Sequence, residues 1–170
     1  PEAYSRRPEY DSIFYCYRAI RDAQVPVVGV IKGRCMGFGI AVAACCDVSF
    51  ASSNAQFNIP EMTHKVMPTM VMSALYDKMS RNAIMWMAYS AEFINAQQAM
   101  MYGIISRAVD ENKLEEEVSK FCDTLLSRPR PGILGLKEYL RSAPRMDSQG
   151  ALDYARSIHS MVNTAAAMKE

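Results

Sequence analysis

One carboxylate, Glu61, stands just after Pro60 in the otherwise apolar segment Phe57-Asn58-Ile59-Pro60-Glu61. A carboxylate short of polar partners is suited to taking and returning a proton. A plain role fits equally, because glutamate after proline favours the positive end of a helix. Upstream, three glycines punctuate Gly33-Arg34-Cys35-Met36-Gly37-Phe38-Gly39. Their spacing matches neither the G-x-x-x-x-G-K-[ST] phosphate loop nor the G-x-G-x-x-G dinucleotide turn. Glycines ahead of a helix still let backbone N–H groups approach a ligand, and such donors stabilise an oxyanion as well as a phosphate. Spacing alone favours a simple strand-to-helix connection. His64 follows Glu61 by three residues, but the other histidine, His159, is far along the chain, so no metal site is expected. The cysteines, Cys16, Cys35, Cys45, Cys46 and Cys122, include no C-x-x-C pair. They read as reduced thiols packed as small hydrophobes, which predicts a cytoplasmic protein.

These groups need a frame, and the pattern supplies one. Tyr10 to Gln24 reads as a helix with Ile13, Tyr17 and Ile20 on its apolar face; its aromatics read as ordinary packing. Pro26 breaks it. Val27 to Ile31 follows as a β-branched run without alternation, the pattern of a strand covered on both faces in a parallel sheet. Gly39 to Cys46 carries small or branched apolar side chains and no charge, so a buried helix is predicted. Asp47 at its end reads as a structural turn hydrogen bond. Val48 to Ala51 is a second strand. The methionine-dense stretch from Met67 to Tyr102 is core filling at helical spacing, or an adaptable lining for a flexible acyl chain. Helices are predicted over Arg81 to Tyr89 and over Asn95 to Tyr102, the latter capped by Asn95 and stopped by Gly103. Ile104 to Val109 reads as a strand, and Lys113 to Ser127, Ile133 to Ser142 and Gln149 to Asn163 as helices.

The bulk numbers narrow the partners. With 170 residues, half of them hydrophobic, the chain has enough apolar material for a real core. A formal net charge of +1 argues against nucleic acid or an anionic membrane surface as the main partner. No apolar run reaches the roughly 18 residues of a membrane span. The opening Pro1 to Glu9 is polar and irregular and reads as the inside of a loop, so an upstream segment is expected.

In order along the chain, Val25-Pro26-Val27-Val28-Gly29-Val30, Gly33, Gly37-Phe38-Gly39, Cys46-Asp47, Ala55-Gln56-Phe57, Pro60-Glu61, Pro68 and Ala99-Met100-Met101-Tyr102-Gly103-Ile104-Ile105 resemble the enoyl-CoA hydratase/isomerase, or crotonase, superfamily. The resemblance implies an α/β fold, a crotonase-like spiral of ββα units over residues 1–110, followed by a helical trimerisation region over 111–170. It implies a homotrimer or a dimer of trimers acting on an acyl-CoA thioester, with coenzyme A entering as part of the substrate and no separate cofactor. The family chemistry stabilises a thioester enolate between two backbone N–H groups. One falls on Phe38, where the family usually has glycine; the other would come from the upstream segment. Met36, Gly37, Gly39, Ala41 and Pro60 fall on substrate-lining positions.

Of the two carboxylates of the family's hydratases, one matches Glu61 and the other falls on Ala41, which has no acid. A single carboxylate at the Glu61 position is the pattern of the Δ3,Δ2-enoyl-CoA isomerases, so double-bond isomerisation is the preferred reading. Dienoyl-CoA isomerases carry a further acid where this chain has Thr69. Lys65 replaces a family glycine. The alternatives are a hydratase whose water is held by other groups, and a catalytically impaired acyl-CoA binder.

Overall fold

A computed structural model describes residues 6–168, and the expected opening loop over residues 1–5 lies outside them. The end of that expected loop and Tyr10, predicted to open the first helix, form a turn of 3-10 helix (Arg7–Tyr10) leading into α1 (Asp11–Arg21). The chain then alternates between two small sheets. β1 (Val28–Ile31) is followed by β2 (Arg34–Met36) and helix α2 (Phe38–Cys45). β3 (Val48–Ser52) and β4 (Gln56–Asn58) repeat the pattern and lead to α3 (Thr69–Leu75) and α4 (Arg81–Ser90). β5 (Ile94–Asn95), α5 (Ala96–Met101) and β6 (Arg107–Val109) complete a third turn. One sheet has the order β1-β3-β6 and the other β2-β4-β5. Each winding thus lays one strand on each sheet. Val28 pairs with Val48, and Arg34 with Gln56, in parallel register.

The sequence expectation put a glycine turn over Gly33 to Gly39, whereas β2 occupies its middle. β4 was likewise unpredicted; strands of three residues are too short to declare a period. The final strand begins at Arg107 rather than Ile104. β1 is the outer strand of its sheet among the described residues, and Val30 is 48% exposed instead of covered on both faces.

The core follows from α2. Ile40, Ala41 and Ala44 are fully buried, and the small side chains of Ala41 and Ala44 let α1 and α3 pack close to the helix. Phe57, Ile59, Leu75, Met87 and Ile94 fill the space around it. Each full burial of such a side chain stabilises the fold by roughly 1.5–3 kcal/mol. Asp47 takes the turn role expected of it: its Oδ2 accepts the Val27 N–H at 2.7 Å.

The backbone falls into two compact units. Residues 6–23 with Val27–Leu114 form the first, and Gln24–Pro26 with 115–168 the second. The second contains most of α6 (Leu114–Leu126), α7 (Arg130–Ser142) and α8 (Ser148–Asn163). Within it Tyr154 donates to Glu138 Oε1 at 2.9 Å and stacks on Tyr139, tying α8 to α7. Lys137 Nζ donates to the Val25 carbonyl at 2.9 Å.

Candidate active site

The parallel pairing of β2 with β4 brings Glu61 to the glycine turn. Met36 aligns with Asn58, and the ladder runs one step further, the Gly37 N–H donating to the Asn58 carbonyl at 3.0 Å. Three residues after Asn58, Glu61 begins a 3-10 turn (Glu61–His64) with Pro60 at its N-cap. The carboxylate lies directly over Gly37. A Cβ placed on that glycine would meet Glu61 Oε1 at 2.5 Å. Gly37 also has φ 48° and ψ −113°, a conformation open to glycine and costly for other residues. Glycine is needed there twice, for the turn and for the room.

Gly37 ends where α2 begins. Phe38 is the first helical residue, so its amide is one of those without an acceptor inside the helix. That donor and the Glu61 carboxylate therefore flank one glycine. The Phe38 ring turns away from the core, 47% exposed, and stacks on Tyr17 of α1 with centroids 5.7 Å apart and planes 24° apart. Met36 is 39% exposed at the end of β2, while Gly39 and Pro60 are half-buried. Ala41, one turn beyond Phe38, is fully buried and presents no polar group.

Glu61 Oε2 is buried and has no hydrogen-bond partner. Glu61 also gives no side-chain cap to its own turn, whose N-cap is Pro60. The carboxylate is aimed at the glycine turn, so the geometry favours a role there over one in local helix capping. His64 and Lys65 are exposed beyond it. Lys65 has φ 57°, the left-handed region, which explains why a glycine would be at home at this position.

Tyr17 is the residue the sequence left among packing aromatics. It is 6% exposed, and its hydroxyl is buried without a partner. Burial, then the thiols Cys45 and Cys16 and the Glu61 charge, push its phenol up to about 12. The one sequence signal was a polar atom on the apolar face Ile13, Tyr17, Ile20. Among the described residues, no group of three His, Cys, Asp or Glu side chains is placed to hold a metal.

Two sheets wound in alternation around a buried small-residue helix, with a carboxylate set against the helix-opening turn, define a crotonase-type fold. A family model described as enoyl-CoA hydratase/isomerase matches residues 7–170, and the chain belongs to that family. It is 29% identical over 127 residues to "Enoyl-CoA hydratase domain-containing protein 3, mitochondrial" of Rattus norvegicus, covering 74% of this chain and 42% of the relative. It is 29% identical over 143 residues to "Crotonyl-CoA hydratase" of Syntrophomonas wolfei, covering 84% and 54%. The crystal structure of human enoyl Coenzyme A hydratase domain-containing protein 3 superposes with a TM-score of 0.91 at 23% identity, covering 95% of this chain and 64% of that one. The chain thus spans about half the length of the curated relatives it matches.

Proposed function

We propose that this chain carries the acid–base half of an acyl-CoA thioester site, with Glu61 as the single proton-transfer group and the Phe38 amide as one of two oxyanion donors. The observation that carries the reading is the Glu61 carboxylate packed on Gly37, one oxygen buried and unpaired, beside the free amide that opens α2. An N–H aimed at a developing enolate oxygen contributes about 3 kcal/mol to the transition state. Isomerisation is the reaction that asks least of these groups. Glu61 takes a proton from C2 of a 3-enoyl thioester, the enolate charge rests on the thioester oxygen, and the same carboxyl returns the proton at C4. Hydration is the second reading, favoured by the hydratase names of the relatives.

The acyl chain would run past Met36, Gly39 and Pro60, with coenzyme A held as part of the substrate. The homotrimer, or dimer of trimers, belongs to this proposal. Leu136 and Leu140 lie one turn apart on α7, 67% and 65% exposed, and are apolar surface that assembly would cover. The free thiols fit a reducing compartment, cytoplasmic or, as in the rat relative's name, mitochondrial.

The test uses the intact gene product and its Glu61→Gln variant on 3-enoyl-CoA and 2-enoyl-CoA. Turnover is expected to fall about 1,000-fold in the variant, with thioester binding retained. Full activity in Glu61→Gln would remove Glu61 from the chemistry. Tight thioester binding without turnover in the wild type would establish an acyl-CoA binder instead.

A further inference from the structure

Two oxygens in the first unit are buried and unpaired, Tyr17 Oη and Glu61 Oε2, and the Glu61 charge is felt at the Tyr17 phenol. A third such atom, Asn58 Oδ1, belongs to an amide already engaged through its Nδ2 with the Ala91 carbonyl. Each unpaired buried polar atom costs about 1–3 kcal/mol. Phenylalanine at position 17 would supply the same ring at no such cost, so the hydroxyl needs a separate reason. Its position is well fixed. The ring is held against Phe38 in a near-parallel stack and in an edge contact with Phe14, centroids 6.2 Å apart. Phe38 carries the amide that borders Gly37, and Glu61 sits on Gly37.

The two orphans are chemically complementary. An ionised carboxylate only accepts hydrogen bonds, and a phenol held up to about 12 remains a donor at any working pH. Whatever satisfies both must accept from one and donate to the other. A carbonyl oxygen cannot donate and an ammonium cannot accept. A hydroxyl oxygen does both.

We propose that Tyr17 is a second hydrogen-bonding residue of the Glu61 site, its hydroxyl and the Glu61 carboxylate together holding one hydroxyl oxygen. That oxygen is a water in the direction of addition and the 3-hydroxyl of a 3-hydroxyacyl thioester in the direction of elimination. The proposal rests on Glu61 being the acid–base group. In addition, Glu61 takes a proton from the held water and the oxygen lone pair forms the C3–O bond. The C2–C3 π pair becomes the C1–C2 π bond, and the carbonyl π pair moves onto the thioester oxygen. As the carbonyl re-forms, the enolate pair at C2 takes the proton back from Glu61. Enoyl thioester and water give the 3-hydroxyacyl thioester with no other reactant. Isomerisation needs no such oxygen, and this separates the two reactions.

The experiment compares the intact protein with Tyr17→Phe and Glu61→Gln. Hydration of 2-enoyl-CoA, isomerisation of 3-enoyl-CoA and thermal stability are all measured. Tyr17→Phe is expected to lower kcat for hydration about 10- to 100-fold with KM little changed. Isomerisation should fall far less than hydration, and thermal stability should stay at the wild-type level or rise. Hydration unchanged in Tyr17→Phe, or absent from the wild type, overturns the proposal. So does a parallel fall of hydration, isomerisation and thermal stability, which is the mark of lost packing. Failure of the underlying reading looks different: hydration and isomerisation would both survive Glu61→Gln.

Discussion

Gly37 is where backbone and chemistry meet. Its positive φ and the 2.5 Å approach of Glu61 Oε1 to an added Cβ mean that alanine there would be strained and would push the carboxylate aside. Gly37→Ala is expected to lower turnover about 100-fold, because displacement by an ångström or so is enough to misplace a proton-transfer group. It should also cost about 1–2 kcal/mol of stability. Kinetics and urea denaturation on the same preparation test this, and an unaltered kcat would mean that the carboxylate works from elsewhere. The residue types at this site were legible in the sequence, and the family resemblance put them at one site; the contact itself was not legible. Gly37 and Glu61 are brought together by the register of two three-residue strands. Tyr17 was less visible still, because on an apolar helical face a tyrosine counts as a hydrophobe and the fate of its hydroxyl is a three-dimensional fact.

Elements with local signals were the easiest to read. Asn95 and Gln98 close a capping box on α5, with the Gln98 N–H donating to Asn95 Oδ1 at 2.9 Å and Gln98 Oε1 accepting from the Asn95 N–H at 3.0 Å. Gly103, in the left-handed region, follows that helix as its stop. The buried α2 was equally plain from its uncharged composition. The end of α4, predicted at Tyr89 and found at Ser90, is made without a glycine: Ala91 takes φ 51° and its N–H returns to the Met87 carbonyl. A glycine normally fills such a position, and alanine there gives up about 1 kcal/mol. Ala91→Gly is therefore expected to raise stability by up to about 1 kcal/mol, read as an increased urea midpoint. A lowered midpoint would mean that the alanine methyl contributes more to packing than its backbone costs.

For the molecule as a whole, the wound two-sheet architecture came from the order of many weak motifs, whereas strand order needed coordinates. Its buried thiols and phenol set a limit on alkaline stability. Burial pushes Cys35 up to about 11 from 9.0, and Tyr17 reaches about 12 from 10.0. Burial moves Cys45 and Cys46 the same way, while Lys78 is shifted down and offsets part of the effect. A raised folded value means that the native state holds the proton more tightly than the unfolded chain. The resulting stability is complete below the unfolded value and disappears as pH climbs through the folded one. The windows are about 9 to 11 for Cys35 and about 10 to 12 for Tyr17, at roughly 2 kcal/mol each. Urea midpoints should therefore drop between about pH 8 and about pH 11, and less steeply in Tyr17→Phe. Equal midpoints at both pH values would contradict this.

The contact between Gly37 and Glu61 also bears on how this sequence can change over time. A side chain at position 37 needs the space the longer acid occupies, and an acid one methylene shorter at position 61 would withdraw from it. Neither replacement is tolerable alone if proton transfer is under selection: the first displaces the carboxylate, and the second leaves it short of its target. The two codons are epistatic, and as long as glutamate remains at 61, glycine is locked in at 37.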